Sequence, residues 1–140
     1  MGKPKPMQVL KTEGPPAFAF LVEKYGFLGP ELEDDGFTYH RPGMHISISS
    51  WWGKGETGFT TYVEVSGGEP YRRWHADLGC LYVACDLGPL QAVGLSTGSG
   101  HLMRKRIGEH SAALRKVMLR LDGPECFTLM ERCHAKPLPD

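Results

Sequence analysis

The sequence has no surplus of either charge: 16 Lys and Arg stand against 16 Asp and Glu in 140 residues. A nucleic-acid or membrane-surface binder that works by bulk attraction is therefore not expected. No apolar run reaches the ~18 residues that a membrane span requires. The best, Cys80 to Cys85, is a short core segment. Behind Met1-Gly2-Lys3-Pro4-Lys5-Pro6 there is no apolar stretch, so the start does not read as a secretory signal. Pro6 also breaks the myristoylation pattern, which wants Ser or Thr there. Cysteine is scarce, at Cys80, Cys85, Cys126 and Cys133 only. Neither close pair has the tight spacing of a zinc knuckle. Packed, reduced thiols are expected, with no metal and no disulfide. Cys133 and His134 are adjacent, and neighbours on a helix point different ways, so they are not read as a shared ligand pair. The Gly-x-Ser-x-Gly elbow, the His-Glu-x-x-His helix and the phosphate-loop pattern are also absent. With no spacing that activates water, a thiol or a metal, we expect a non-enzymatic protein without a cofactor.

What is present fits one domain over 1–140. The length suits a single core, and 41% hydrophobic residues make the chain globular. Residues 1–14 read as a loose arm with a short strand at its end, only Met7, Val9 and Leu10 being apolar. Pro15-Pro16 then opens a helix, with Phe18, Leu21, Val22 and Tyr25 as its apolar stripe, Phe20 off it, and Gly26 as its stop. Strands follow. Phe37 to His40 pairs through the Arg41-Pro42-Gly43 turn with Met44, Ile46 and Ile48, which alternate with His45, Ser47 and Ser49. Trp51-Trp52 extends that second strand. Phe59 to Val65 makes a third, and Tyr71 to His75 a fourth after Gly67-Gly68-Glu69-Pro70.

Period does not decide whether Cys80–Cys85 is strand or helix; Asp77 as a cap and Gly88-Pro89 as a stop favour a short helix. Residues 90–100 read as a loop. Met103, Ile107, His110, Leu114, Val117 and Leu121 predict an amphipathic helix from about 101 to 121, capped by Ser99 and stopped by Gly123-Pro124. His110, on the apolar stripe, reads as a hydrogen-bonded core histidine. A last short helix runs from Cys126 to Cys133, before a tail at 135–140. The fold class expected is α+β: an antiparallel sheet of about four strands, with an N-terminal helix and C-terminal helices packed on one face.

Charge is uneven along the chain. Glu31, Glu33, Asp34 and Asp35 form an acidic stretch, while residues 71–140 hold ten Arg and Lys against seven Asp and Glu. Two solvated faces, or a dipolar surface that steers a partner, both account for this.

The run Phe18-Ala19-Phe20-Leu21-Val22-Glu23-Lys24-Tyr25-Gly26-Phe27, with Tyr39 and the Met44–Ile48 strand after it, resembles the small cytosolic immunity proteins of bacterial polymorphic toxin systems. The likeness covers the first half of the chain. It implies a short helix leading into an antiparallel meander with closing helices, and a cytoplasmic protein that binds and neutralises one cognate toxin without catalysis. The strong acidic surplus of many such proteins is missing here, which argues against a nuclease-type partner.

The residues expected to carry partner binding are Trp51, Trp52, His45 and Tyr62, with Glu31, Glu33, Asp34 and Asp35 as a charged rim. Alternation along a strand puts one tryptophan in the core and the other outside it. The alternative is a small-molecule module or small enzyme built on His40, His45 and the glycine loop at 94–100. A third is a structural subunit with a large apolar interface.

Overall fold

The computed structural model describes residues 5–53, 56–97 and 100–133, together with the backbone of 136–137. The chain opens not with a loose arm but with a helix, α1 (Pro6–Ala17). Pro6 starts it, because the first turn needs no N–H from that residue. Val9 and Leu10 are buried, and Gly14 lies so close to the Phe37 ring that a Cβ there would overlap it. The lysines and prolines around these residues hide a real apolar face. Pro15 and Pro16 close this helix; they do not open the next.

The second helix, α2 (Phe20–Tyr25), restarts after Phe18 and ends on Gly26 in the left-handed region at φ 73°. The break resets the helical phase. Phe20 is therefore buried, while Val22, expected on the inner stripe, is exposed.

Among the described residues seven strands follow where about four were expected, two of them only two residues long. The long ones are β1 (Leu28–Glu33), β2 (Gly36–Arg41), β3 (Met44–Gly53), β4 (Glu56–Gly67) and β5 (Arg72–Asp77). The short ones are β6 (Ser96–Thr97) and β7 (Lys136–Pro137). The antiparallel order is β1-β2-β3-β4-β5-β7, with β6 paired to β4 beyond the end of β5. Part of the expected tail thus forms an edge strand. Residues 135 and 138–140 lie outside the described residues, as do Met1 to Pro4 of the expected arm.

Glycine at 36 is a steric requirement: a Cβ there would collide with the Ile48 carbonyl.

Every second residue of each long central strand enters the core. Phe37, Tyr39, Ile46, Ile48, Phe59 and Val63 are all buried to 1% exposure or less. The helices cover that side of the sheet, as the pattern predicts. Helix α3 (Leu78–Ala84) settles the ambiguous 80–85 segment, and Asp77 caps it by accepting from the Cys80 N–H at 3.1 Å. Asp77→Ala should lower stability by about 1 kcal/mol, read as an earlier urea midpoint with an unchanged slope. A single 3-10 turn, Leu90–Ala92, leads towards β6.

The long helix α4 (Gly100–Leu121) buries all six predicted stripe residues. Its expected cap, Ser99, lies outside the described residues. Ser111 donates to the Ala17 carbonyl at 2.7 Å and ties α4 to the end of α1. Arg41 closes the opposite corner. It donates to the Tyr25 carbonyl at 2.8 Å, pairs with Asp122 at 2.6 Å, and lies over the Phe27 ring.

Helix α5 (Cys126–Arg132) follows. Cys133, just after it, is disulfide-bonded to Cys80 on α3, with Cα atoms 5.6 Å apart. Four free thiols were expected; only Cys85 and Cys126 are free. The two bonded residues are 53 apart in sequence, so no local spacing announces the pair.

Candidate functional site

Among the described residues no helix covers the other face of the sheet, and the strand register decides what that face displays. Residues directly opposite on paired strands point to the same side. One row runs His40, His45, Glu64, His75 across β2 to β5. The next runs Glu31, Thr38, Ser47, Tyr62, Asp77 across β1 to β5. A third runs Glu33, Gly36, Ser49, Thr60.

Within these rows the side chains contact one another. The His40 and His45 rings lie parallel with centroids 6.3 Å apart. Tyr62 stacks on His75, its diagonal neighbour, at 4.6 Å. Arg73 reaches Glu64 at 3.1 Å. The polar centre of hydroxyls is thus flanked by imidazoles and a phenol. Asp77 turns its carboxylate to the start of α3 and Glu64 is paired with Arg73, so the carboxylates that this face leaves unpaired are Glu31 and Glu33 at its β1 border.

Of the residues expected to carry binding, His45, Tyr62, Glu31 and Glu33 share this face, and Trp51 joins them by strand parity. Asp34 and Asp35 sit in the β1–β2 turn at its border. Trp52 has the parity of the core side, yet it is 85% exposed, because β3 runs on past the end of the core. Trp51 is half-buried. The expectation that one tryptophan enters the core is therefore corrected: neither does. His75 and Arg73 belong to the face but were missed, since their side depends on the register after the 67–70 turn. The alternation of Glu64 with Val63 and Val65 carried the signal for that residue.

The basic face of α4 is largely spent on contacts within the chain. Arg104 pairs with Glu13 at 2.7 Å, Arg106 with Glu109 at 2.8 Å, and Arg120 with Glu125 at 3.1 Å. Arg115 lies over the Phe20 ring. Of the two halves of the expected dipole, the acidic stretch Glu31, Glu33, Asp34 and Asp35 makes none of these ion pairs.

The alternative pairing of His40 and His45 with the glycine loop does not assemble. His45 sits opposite Glu64, whereas β6 leaves β4 at Thr57 and Gly58. Six residues of strand, about 20 Å, separate them. The loop's groups are also engaged: the Gly94 carbonyl meets His110, and the Ser96 carbonyl accepts from Arg106. Gly98 and Ser99 lie outside the described residues.

His110 is fully buried between β4 and that loop. Its Nε2 lies 2.7 Å from the Gly94 carbonyl, which only accepts, so Nε2 carries the hydrogen. Nδ1 then accepts from the Thr61 hydroxyl at 2.9 Å. Phe59 packs on the ring at 4.3 Å. Burial pushes its pKa down to about 4, although the Gly94 bond opposes the shift. The imidazole is neutral, enclosed and structural.

Among the described residues, no group of three or more His, Cys, Asp or Glu side chains is placed to hold a metal ion. None of their helices is long and apolar enough to cross a membrane. Compared with known protein families, with curated proteins and with solved structures, the chain matches none.

Proposed function

We propose that this chain acts by binding a protein partner on the uncovered sheet face, in the manner of a bacterial immunity protein that occupies and neutralises a toxin in the cytoplasm. The observation that carries this is the co-location of Glu31, Glu33, His45, Tyr62 and Trp51 on one uncovered side, with exposed Trp52 at its end. An exposed tryptophan beside half-buried aromatics and a carboxylate border has the composition of an interface centre with its rim.

The size is also suitable. Five strands at about 4.8 Å spacing and six residues at about 3.3 Å rise make a patch of roughly 400 Å². That is about half of the ~800 Å² that a standard interface takes from each partner. The β1–β2 turn with Asp34 and Asp35, together with the Trp52 end, supplies further area. The carboxylates at the β1 border suit a partner with a basic patch, which would be steered on by opposite charge.

The test uses the product of the adjacent gene as partner, with affinity and urea stability measured side by side. Trp52→Ala should leave stability within about 0.5 kcal/mol and weaken the complex about 30-fold, as a hot-spot truncation does. A charge reversal of Glu31 and Glu33 should slow association, most visibly at low salt. A complex that forms with unchanged affinity and unchanged association rate in both variants would overturn the assignment.

A further inference from the structure

A second feature lies at the end of β3 where the core runs out, and it takes in residues from both sides of that strand. The starts of α1 and α4 approach the β3–β4 ends there and leave a cavity of about 270 Å³, open on one side. Pro6, Met7 and the buried Met103 line it, with Trp51 and Trp52 of β3 forming one wall. Gly58 also lines it, and a Cβ there would strike the Trp51 ring, so glycine lets that indole sit this close to β4.

The chemistry of the lining is narrow. Two indoles and two thioethers make a polarisable apolar surface that adapts to flat rings. Lys5 is the one charged residue among those that line it. Size narrows the choice further. An apolar cavity of about 150 Å³ accommodates benzene, so this volume has room for two fused rings. Trp52, at 85% exposure, leaves much of its indole in water unless something covers it.

We propose that this cavity binds a small aromatic carboxylate, with its rings between the tryptophans and methionines and its carboxylate at Lys5. Trp51 and Trp52 are shared with the end of the sheet face, whereas Met7, Met103 and Lys5 take no part in it, so Lys5→Glu tests the cavity without touching that face. The two can fail separately.

The test is a titration of the full-length 15N-labelled protein with 2-naphthoate and with its neutral analogue 2-naphthalenemethanol, followed by the tryptophan indole N–H signals. Trp74, buried on β5, is the internal reference. The expected result is saturable movement of the Trp51 and Trp52 signals, a still Trp74, and a naphthoate Kd of about 0.1 to 1 mM. Trp52→Ala should weaken both ligands about ten-fold. Lys5→Glu should weaken naphthoate about three- to ten-fold and leave the alcohol unchanged. Movement of all three indole signals without saturation would overturn the proposal. So would unchanged binding in Trp52→Ala, or a Lys5→Glu variant that treats the acid and the alcohol alike.

Discussion

Replacing His110 by alanine is expected to cost about 4 kcal/mol of folding stability, a large part of the 5–15 kcal/mol that a domain possesses. Two losses combine. The Thr61 hydroxyl and the Gly94 carbonyl, bonded to the ring at 2.9 and 2.7 Å, are left without their partner in a buried site. The vacated volume beside Phe59 adds a cavity cost. Thr61→Val alone removes one of the two bonds and should cost less. Because the two residues share that bond, the double variant should cost less than the sum.

His110 also sets a pH dependence. In the folded protein its pKa is about 4, against an ordinary 6.5. Between those values the unfolded chain binds the proton and the folded one does not. Stability is therefore fully present above about pH 6.5 and declines as pH falls towards 4, by about 3 kcal/mol in all. Urea titrations at a series of pH values measure this directly. A His110→Gln protein that keeps the same acid slope would assign the loss elsewhere.

Removing the disulfide is the second large effect. The bond joins residues 53 apart in sequence, and the chain-entropy relation puts its contribution at about 4 kcal/mol. The Cys80→Ala, Cys133→Ala double variant should unfold at a much lower urea concentration than the oxidised protein, and a reducing agent should move the oxidised protein to nearly the same place. Equal midpoints for all three would mean that the bond does not restrain the unfolded chain.

The two free cysteines do not threaten this pairing. Burial raises the Cys85 thiol, with Arg120 and Arg132 opposing, and burial likewise raises Cys126. Exchange needs a thiolate, so both are slow to attack. Disulfides are rare in reducing cytosol. A free-thiol count on protein taken from its native cell therefore tests the proposed cytoplasmic setting as well as the bond.

Much of the sheet was legible because its signal is local. The alternations Met44-Ile46-Ile48 and Phe59-Thr61-Val63-Val65 put His45, Ser47 and Tyr62 outside with no knowledge of neighbouring strands, and the four-and-three spacing of Met103 to Leu121 did the same for α4. Where the deciding fact is tertiary, the sequence was mute. Helix α1 is made by packing on Phe37 and α4, against a composition of lysine and proline. Strand β1 has no alternation to read, since all six residues are exposed. Trp52 misled because strand parity says which way a side chain points, and not whether a core lies in that direction. His75 could be placed only once a turn had fixed the register of β5.

The exposure of β1 has a consequence for the behaviour of the protein in concentrated solution. An outer strand is a template on which another chain can hydrogen-bond and start a fibril. Here that border carries Pro30, which has no N–H to offer, and Glu31 and Glu33, whose charges repel an identical copy. Its pairing with β2 is irregular between Leu28 and Glu31, which interrupts the straight ladder that an incoming strand would have to match. Growth of the sheet sideways is disfavoured on this side.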